Sequence, residues 1–226
     1  MRTLPPAFVS AIGFAALANG LDFDQPTQLD RRVRRLAQQP RLDPLRVALK
    51  PLFPIGLPGG YITIAYLTAH WMKRRDKHGS RAITTAAWLG WLVHRAFKLG
   101  YFRERPPRPG VQRRTDSYPS GHTTGATSLA VASALVLKDN EVISPKRAAA
   151  IALGGPAIMG AYRVIADDHW TSDVLGGWML GAAIGLTCCA ALGKQSRRAP
   201  RVVRPNNAIR ELESNATRSR RRARQA

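Results

Sequence analysis

The sequence predicts an all-α fold: an integral-membrane bundle of five to six transmembrane helices, joined by an amphipathic helix lying at the membrane interface. Three observations predict it. Five stretches, at 53–72, 82–99, 121–137, 148–166 and 173–193, are apolar over nearly the span of about 20 helical residues that a hydrocarbon core requires. The basic residues gather beside these stretches, in 31–50, 73–81 and 194–224, as they do where chains flank membrane spans. Small residues recur through the last two stretches, at Gly154, Gly155, Gly160, Gly176, Gly177, Gly181 and Gly185, and small residues let membrane helices approach closely.

Element by element, residues 1–21 form a short N-terminal membrane helix or a signal-like segment, since Arg2 precedes an apolar run from Ala7 to Leu17. In 22–52, Leu29, Val33 and Leu36, then Leu42, Leu45, Leu49 and Leu52, recur at helical spacing among arginines. This predicts an interfacial amphipathic helix on the extracytoplasmic side, with an ordinary packed helix as the alternative. Residues 53–194 form the membrane core. Its first stretch carries Pro54, Pro58, Gly59 and Gly60, and its second carries His94 and Arg95, so the polar positions of both should face the bundle interior. Residues 195–226 turn to Arg, Ser, Asn and Gln and predict a disordered basic cytoplasmic tail. Adjacent Cys188 and Cys189 in an apolar stretch read as small packing residues, and Asn215-Ala216-Thr217 as a chance sequon.

The mean hydropathy of −0.20 averages apolar helices with polar ends and does not indicate a soluble protein. A net charge of +21 raises the possibility of nucleic acid as a partner, but the charges flank apolar segments instead of covering one face, so none is expected. Lysines and arginines in 73–81, 138–147 and the tail would be cytoplasmic by the positive-inside rule. That puts 22–52, 100–120 and 164–172 on the extracytoplasmic side of a cell inner membrane. The loop 100–120 is itself basic, with Arg103, Arg105, Arg108, Arg113 and Arg114, and a chemical purpose accounts for those charges.

Three short strings fall at the ends of consecutive helical stretches that alternation brings to one face. Lys98 is followed at a spacing of seven by Arg105-Pro106; Pro119-Ser120-Gly121-His122 opens the next stretch; Arg163 precedes His169, and Asp173 follows four residues later. With their spacing, these strings resemble the signature K-x6-R-P, P-S-G-H and S-R-x5-H-x3-D of the type 2 phosphatidic acid phosphatase superfamily, which includes class A bacterial acid phosphatases and vanadium haloperoxidases. The resemblance covers residues 98–173 in motif. One position departs, since Tyr162 stands where the family has serine.

The residue types suit phosphoryl transfer, in which catalysis is mainly positioning and preorganised positive charge. Lys98, Arg105 and Arg163 would hold phosphate oxygens, Ser120 would donate its hydroxyl, and Gly121 would let backbone N–H groups approach at a helix N-terminus. His169 would attack phosphorus, Asp173 would orient its imidazole, and His122 would protonate the leaving oxygen and then activate water. The resemblance implies the same roles. Two imidazoles needing opposite protonation states predict a bell-shaped pH dependence.

No acidic cluster near the motifs has metal-ligand spacing, so neither a metal nor another cofactor is expected. The implied activity is hydrolysis of a lipid phosphate or diphosphate such as phosphatidic acid, phosphatidylglycerol phosphate or a polyprenyl diphosphate. The alternatives are a vanadium-dependent haloperoxidase in the same pocket and a non-catalytic basic membrane protein binding anionic lipid or nucleic acid. Outside the motifs, His70, His78 and His94 read as packing or interfacial residues, Asp167 and Asp168 as solvated loop acids, Trp170 as an interfacial aromatic, and Tyr101 and Phe102 as packing residues.

Overall fold

The computed structural model describes residues 3–193, so the expectation for 195–226 lies outside the described residues. Within them the chain is helical, and a lone bridge between Arg103 and Asp116 is its one extended pairing. The elements are α1 (Leu4–Gly20), α2 (Gln28–Ala37), a 3-10 turn (Pro40–Leu42), α3 (Asp43–Leu49), α4 (Leu52–Gly56), α5 (Pro58–Met72), α6 (Lys77–Gly100), α7 (Gly121–Asp139), α8 (Pro145–Ile165) and α9 (Thr171–Leu192). Their starts follow capping chemistry. Asp76 accepts from the Gly79 N–H at 2.9 Å to open α6, Ser144 accepts from the Arg147 N–H at 3.3 Å ahead of Pro145 in α8, and Pro58 opens α5.

Helix α7 is the hub, packed against α6, α8 and α9. Its contact with α9 is close because α9 offers glycine at three successive turns. A methyl group at Gly177, Gly181 or Gly185 would lie 2.9, 2.6 or 2.9 Å from the carbonyl oxygens of Ser120, Thr124 and Ser128 respectively. By contrast, Gly154 and Gly155 face open space, so the small-residue pattern marks a helix contact in α9 and not at that point of α8. Helix α1 lies along α9 and sends Phe14 inward, where its ring stacks on Tyr118 at 5.8 Å and meets Phe97 edge-on at 4.8 Å.

The outside of the bundle is apolar. Phe8, Val9 and Ile12 of α1, Leu67 and Trp71 of α5, Leu92 of α6, and Leu153 and Ile158 of α8 are exposed, a surface that water disfavours and lipid tolerates. Among the described residues two helices, α8 and α9, are long and apolar enough to cross a bilayer, and α1 is a shorter apolar helix. The expected five to six spans are therefore met in part by that criterion. The stretch 53–72 is divided at Leu57, whose extended backbone ends α4 before Pro58 starts the 15 residues of α5.

The segment 22–52 departs from the expected single amphipathic helix. It folds as α2, a turn and α3 in place of one continuous helix, and Leu29, Leu36 and Leu45 are exposed on the side away from the bundle. What α2 buries is Asp30 and Ala37, with Val33 packed beside Val164, Val174 and Trp178. Charge pairing determines that orientation.

Candidate active site

Alternation of α6 to α9 brings the C-terminal ends of α6 and α8 together with the N-terminal ends of α7 and α9. A cavity of ≈ 340 Å³ opens there, bordered by Lys98, Arg105, Gly121, His122, Arg163 and His169. Ser120 and Asp173 do not border it. Both are fully buried immediately behind it, and the backbone N–H of Ser120 donates to the Asp173 carbonyl at 3.1 Å. The Ser120 hydroxyl accepts from Thr123 Oγ1 at 3.0 Å.

Each cation is held by a carboxylate. Asp116 lies 3.0 Å from Arg105 Nε, 2.7 Å from Arg114 Nη2 and 3.7 Å from Lys98 Nζ, whose ammonium also donates to the Asp116 carbonyl. Burial opposes ionisation of the Asp116 carboxyl, but the hydrogen bond from Arg105 and the charges of Lys98, Arg105 and Arg114 outweigh it and hold its pKa down at about 2. Asp168 lies 3.0 Å from Arg163 Nη1 and 2.8 Å from Arg108 Nη1. Three cations thus share one carboxylate and two share the other, which leaves net positive charge at the cavity.

Arg163 is 3% exposed. Its guanidinium sits 5.4 Å from the Phe53 ring centroid and 5.6 Å from that of Tyr162, both within cation–π range. Its Nε and Nη1 make no hydrogen bond, the approach to Asp168 being close but poorly angled. Tyr162, at the position where the motif departs, is therefore a wall against which the arginine lies.

His169 is 3% exposed and turns Nδ1 toward Asp173 Oδ2 at 3.5 Å, too long and too poorly angled for a hydrogen bond. The carboxylate is occupied by other donors: Arg103 Nη1 at 2.7 Å, the Trp170 N–H at 2.8 Å, and the Ser117 hydroxyl. Burial, then the charges of Arg105, Arg163, Lys98 and His122, push the His169 pKa well below its usual 6.5, so the imidazole is neutral at pH 7. His122 lies against Phe53 with ring centroids 5.1 Å apart and the planes tilted by 39°, and among the described residues its Nε2 has no hydrogen-bond partner.

Several expectations are corrected. Asp167 and Asp168 are not solvated: Asp167 accepts both Nε and Nη2 of Arg34 at 2.8 Å, and Asp168 pairs as above. Trp170 is buried at the start of α9 and donates Nε1–H to the Glu104 carbonyl at 2.8 Å. His94 borders the cavity; its Nδ1 lies 2.8 Å from the Gly90 carbonyl, and a methyl group at Gly121 would lie 2.6 Å from its Nε2. The five arginines of 100–120 all have carboxylate partners, Arg113 facing Glu104 at 3.5 Å and Arg103 bridging Asp30 and Asp173. Among the described residues no group of three or more His, Cys, Asp and Glu side chains is arranged to hold a metal ion.

The model of the PAP2 superfamily matches residues 78–197, more than half of the chain. The chain belongs to the PAP2 superfamily. A non-specific acid phosphatase of Salmonella typhi is 42% identical over 107 residues, 47% of this chain and 40% of that protein. One from Salmonella typhimurium is 42% identical over 78 residues, 34% of this chain and 28% of that protein. The chain thus aligns with less than half the length of these curated relatives. The transmembrane PAP2 type phosphatidylglycerolphosphate phosphatase of Bacillus subtilis has a similar fold, with a TM-score of 0.68 and 19% identity across 85% of this chain and 98% of that one.

Within this PAP2 chain, α6 to α9 and their loops fall inside the matched range, whereas α1 to α5 precede it. Asp30 and Arg34, which pair with Arg103 and Asp167 behind the site, therefore come from outside the matched region.

Proposed function

We propose that this protein is a membrane lipid phosphatase that hydrolyses a phosphate or diphosphate ester through a phosphohistidine, without a metal ion. One observation carries the reading: the motif side chains Lys98, Arg105, His122, Arg163 and His169, 65 residues apart between Lys98 and Arg163, border a single cavity, with His94, Arg95 and Arg114 beside them, at one end of an apolar-sided bundle. A phosphoryl group there would meet Lys98, Arg105 and Arg163, whose charge offsets that developing on its oxygens. With Nδ1 of His169 turned to Asp173, Nε2 is the nitrogen left to attack.

In the first step the Nε2 lone pair forms the N–P bond as the P–O bond to the leaving group breaks, and His122 gives a proton to the leaving oxygen. In the second, His122 takes a proton from water, the water oxygen bonds to phosphorus, the N–P bond breaks and inorganic phosphate leaves. Asp173 stabilises the imidazole as it gains positive charge. A lipid substrate fits the position of the cavity beside an apolar exterior, and the basic loop 73–81 at the opposite end favours an extracytoplasmic site at an inner membrane. Phosphatidic acid, phosphatidylglycerol phosphate and polyprenyl diphosphates are the candidate substrates.

The test is phosphate release from a panel of these lipids in detergent, with chelator and with vanadate in separate arms and His169→Ala as control. Release that persists in chelator, stops with vanadate and is absent in the variant is expected. Activity retained by His169→Ala removes the nucleophile, loss in chelator removes the metal-free step, and vanadate-supported halide oxidation reassigns the pocket to a peroxidase.

A further inference from the structure

Behind His169 lies a buried charge network that the motif residues do not explain. Arg103 is 1% exposed, Asp30 and Asp173 are 0% exposed, and Arg103 joins the two carboxylates: Nη2 to Asp30 Oδ2 at 2.9 Å and Nη1 to Asp173 Oδ1 at 2.7 Å. Asp30 meets only donors. Besides Arg103 it accepts from the backbone N–H of Thr27 at 3.0 Å and of Ser172 at 2.9 Å, and from the Ser172 hydroxyl, which lies 2.9 and 2.8 Å from its two oxygens. Ser172 Oγ in turn accepts from Arg103 Nη1 at 2.7 Å. An aspartate on α2 is thereby fastened to the residue adjoining Asp173 on α9, across 142 positions of sequence.

The charges decide what this does. Arg103 alone with Asp173 would be a neutral pair, and a neutral pair offers little to an imidazole acquiring positive charge. With Asp30 as a second partner the three groups sum to one negative charge, which sits beside His169 in a site otherwise surrounded by Lys98, Arg105, Arg163 and His122. Buried charges act over such distances with little screening. Asp30 also has a geometric effect, since its bonds to the Ser172 N–H and hydroxyl fix the first turn of α9, from which Asp173 projects.

We infer that Asp30 is a positioning residue for the phosphoryl-transfer step: by engaging Arg103 and the start of α9, it keeps Asp173 oriented and net negative toward His169. Helix α2 is accordingly part of the site's supporting structure. Arg34 holds Asp167 and the Pro107 carbonyl from the same helix, at 2.8 and 2.7 Å, so α2 restrains both loops that carry site residues. The inference rests on the phosphatase reading above.

The experiment compares wild type, Asp30→Asn, Asp30→Glu and Asp30→Asn/Arg103→Gln for phosphate release from phosphatidic acid in detergent, with thermal unfolding measured on each. Asp30→Asn should lower kcat by about tenfold, by analogy with the outer partners of metal-bound imidazoles, with KM within about twofold because no substrate contact is lost. The double variant returns the network to one negative charge and should recover several-fold of that kcat. A merely structural residue would instead make the double variant worse than the single. Unchanged kcat in Asp30→Asn, loss confined to KM, or no recovery in the double variant overturns the inference. If Asp30→Asn does not fold, Asp30→Glu carries the test: kcat within about threefold of wild type upholds the charge role, while a tenfold fall at constant KM, or failure to fold, overturns it. A wild type inactive on phosphatidic acid, phosphatidylglycerol phosphate and a polyprenyl diphosphate alike refutes the phosphatase reading, the variants being compared on whichever of these it hydrolyses, whereas an active wild type with an equally active Asp30→Asn refutes this inference alone.

Discussion

Arg163→Lys gives the sharpest test of the proposed phosphate site, because it keeps the charge and removes everything else the arginine supplies. The guanidinium is 3% exposed, lies between Phe53 and Tyr162 at 5.4 and 5.6 Å, and has Nε and Nη1 free of hydrogen bonds. A guanidinium offers a phosphate group a planar fork of N–H donors, and a flexible ammonium reproduces neither that fork nor the flat stacking surface. Loss of one preorganised donor costs about 10² to 10³ in rate. With the charge retained, a fall of about 10² in kcat/KM is expected. Stability should change less: two aromatic contacts worth about 1 kcal/mol each are weakened, a shift of roughly 4–8 °C in Tm at 2–4 °C per kcal/mol for a chain of this size. Steady-state phosphate release in detergent and a thermal melt measure the two effects separately. Activity within threefold of wild type would show that Arg163 acts as a bulk charge, and the argument from its stacked, forked geometry would fail.

Other outcomes follow from the same geometry. Thermal stability should decline as pH falls below 6.5: the folded state disfavours protonated His169 while the unfolded state accepts the proton, so stability is full above 6.5 and is lost toward the depressed folded value. His169→Gln should flatten this slope by up to about 1.4 kcal/mol per pH unit; an unchanged slope in melts from pH 8 to 5 refutes it. By the same reasoning, an acid limb in kcat/KM belonging to His169 lies below pH 6.5. Gly56→Ala should slow catalysis, since the added methyl would lie 2.3 Å from His122 Cδ2 and 2.9 Å from Met159 Sδ. Relief of such overpacking costs about 1–3 kcal/mol, and kcat measured against a melt shows whether the imidazole or the fold yields.

The motif side chains were legible because their spacing is local and helix alternation carries three strings to one end of the bundle. The partners of those side chains were not. Asp30 is 73 residues from Arg103, and Arg34 is 133 from Asp167, separations at which no periodicity operates. The face that α2 turns to the bundle was not legible for a different reason. Apolar periodicity identifies the inward face only when the outside is polar, and here Leu153 and Ile158 point outward while Gly176, Gly177 and Ala183 are buried. In such a bundle the inward face is marked by small and paired polar residues, and on α2 that residue is Asp30, not Leu29 or Leu36. The arginines of 100–120, conspicuous as a charge excess in the sequence, each pair with a carboxylate among Asp30, Glu104, Asp116, Asp168 and Asp173, so a large part of that excess is offset within the fold.

The pairing also bears on how firmly such a site would hold an anion. Cations buried without partners are costly, and Asp116 and Asp168 offset that cost by neutralising part of the charge on Lys98, Arg105 and Arg163. A phosphate group bound as proposed would therefore compete with two carboxylates for the same donors, and its binding free energy would be the difference between two strong sets of interactions instead of the whole of one. Ground-state affinity is reduced by that competition. The additional charge on a phosphoryl group in transfer meets the unmatched positive excess, three cations to one carboxylate on one side and two to one on the other. A site built this way favours the transition state over bound substrate or product, which is the condition for turnover.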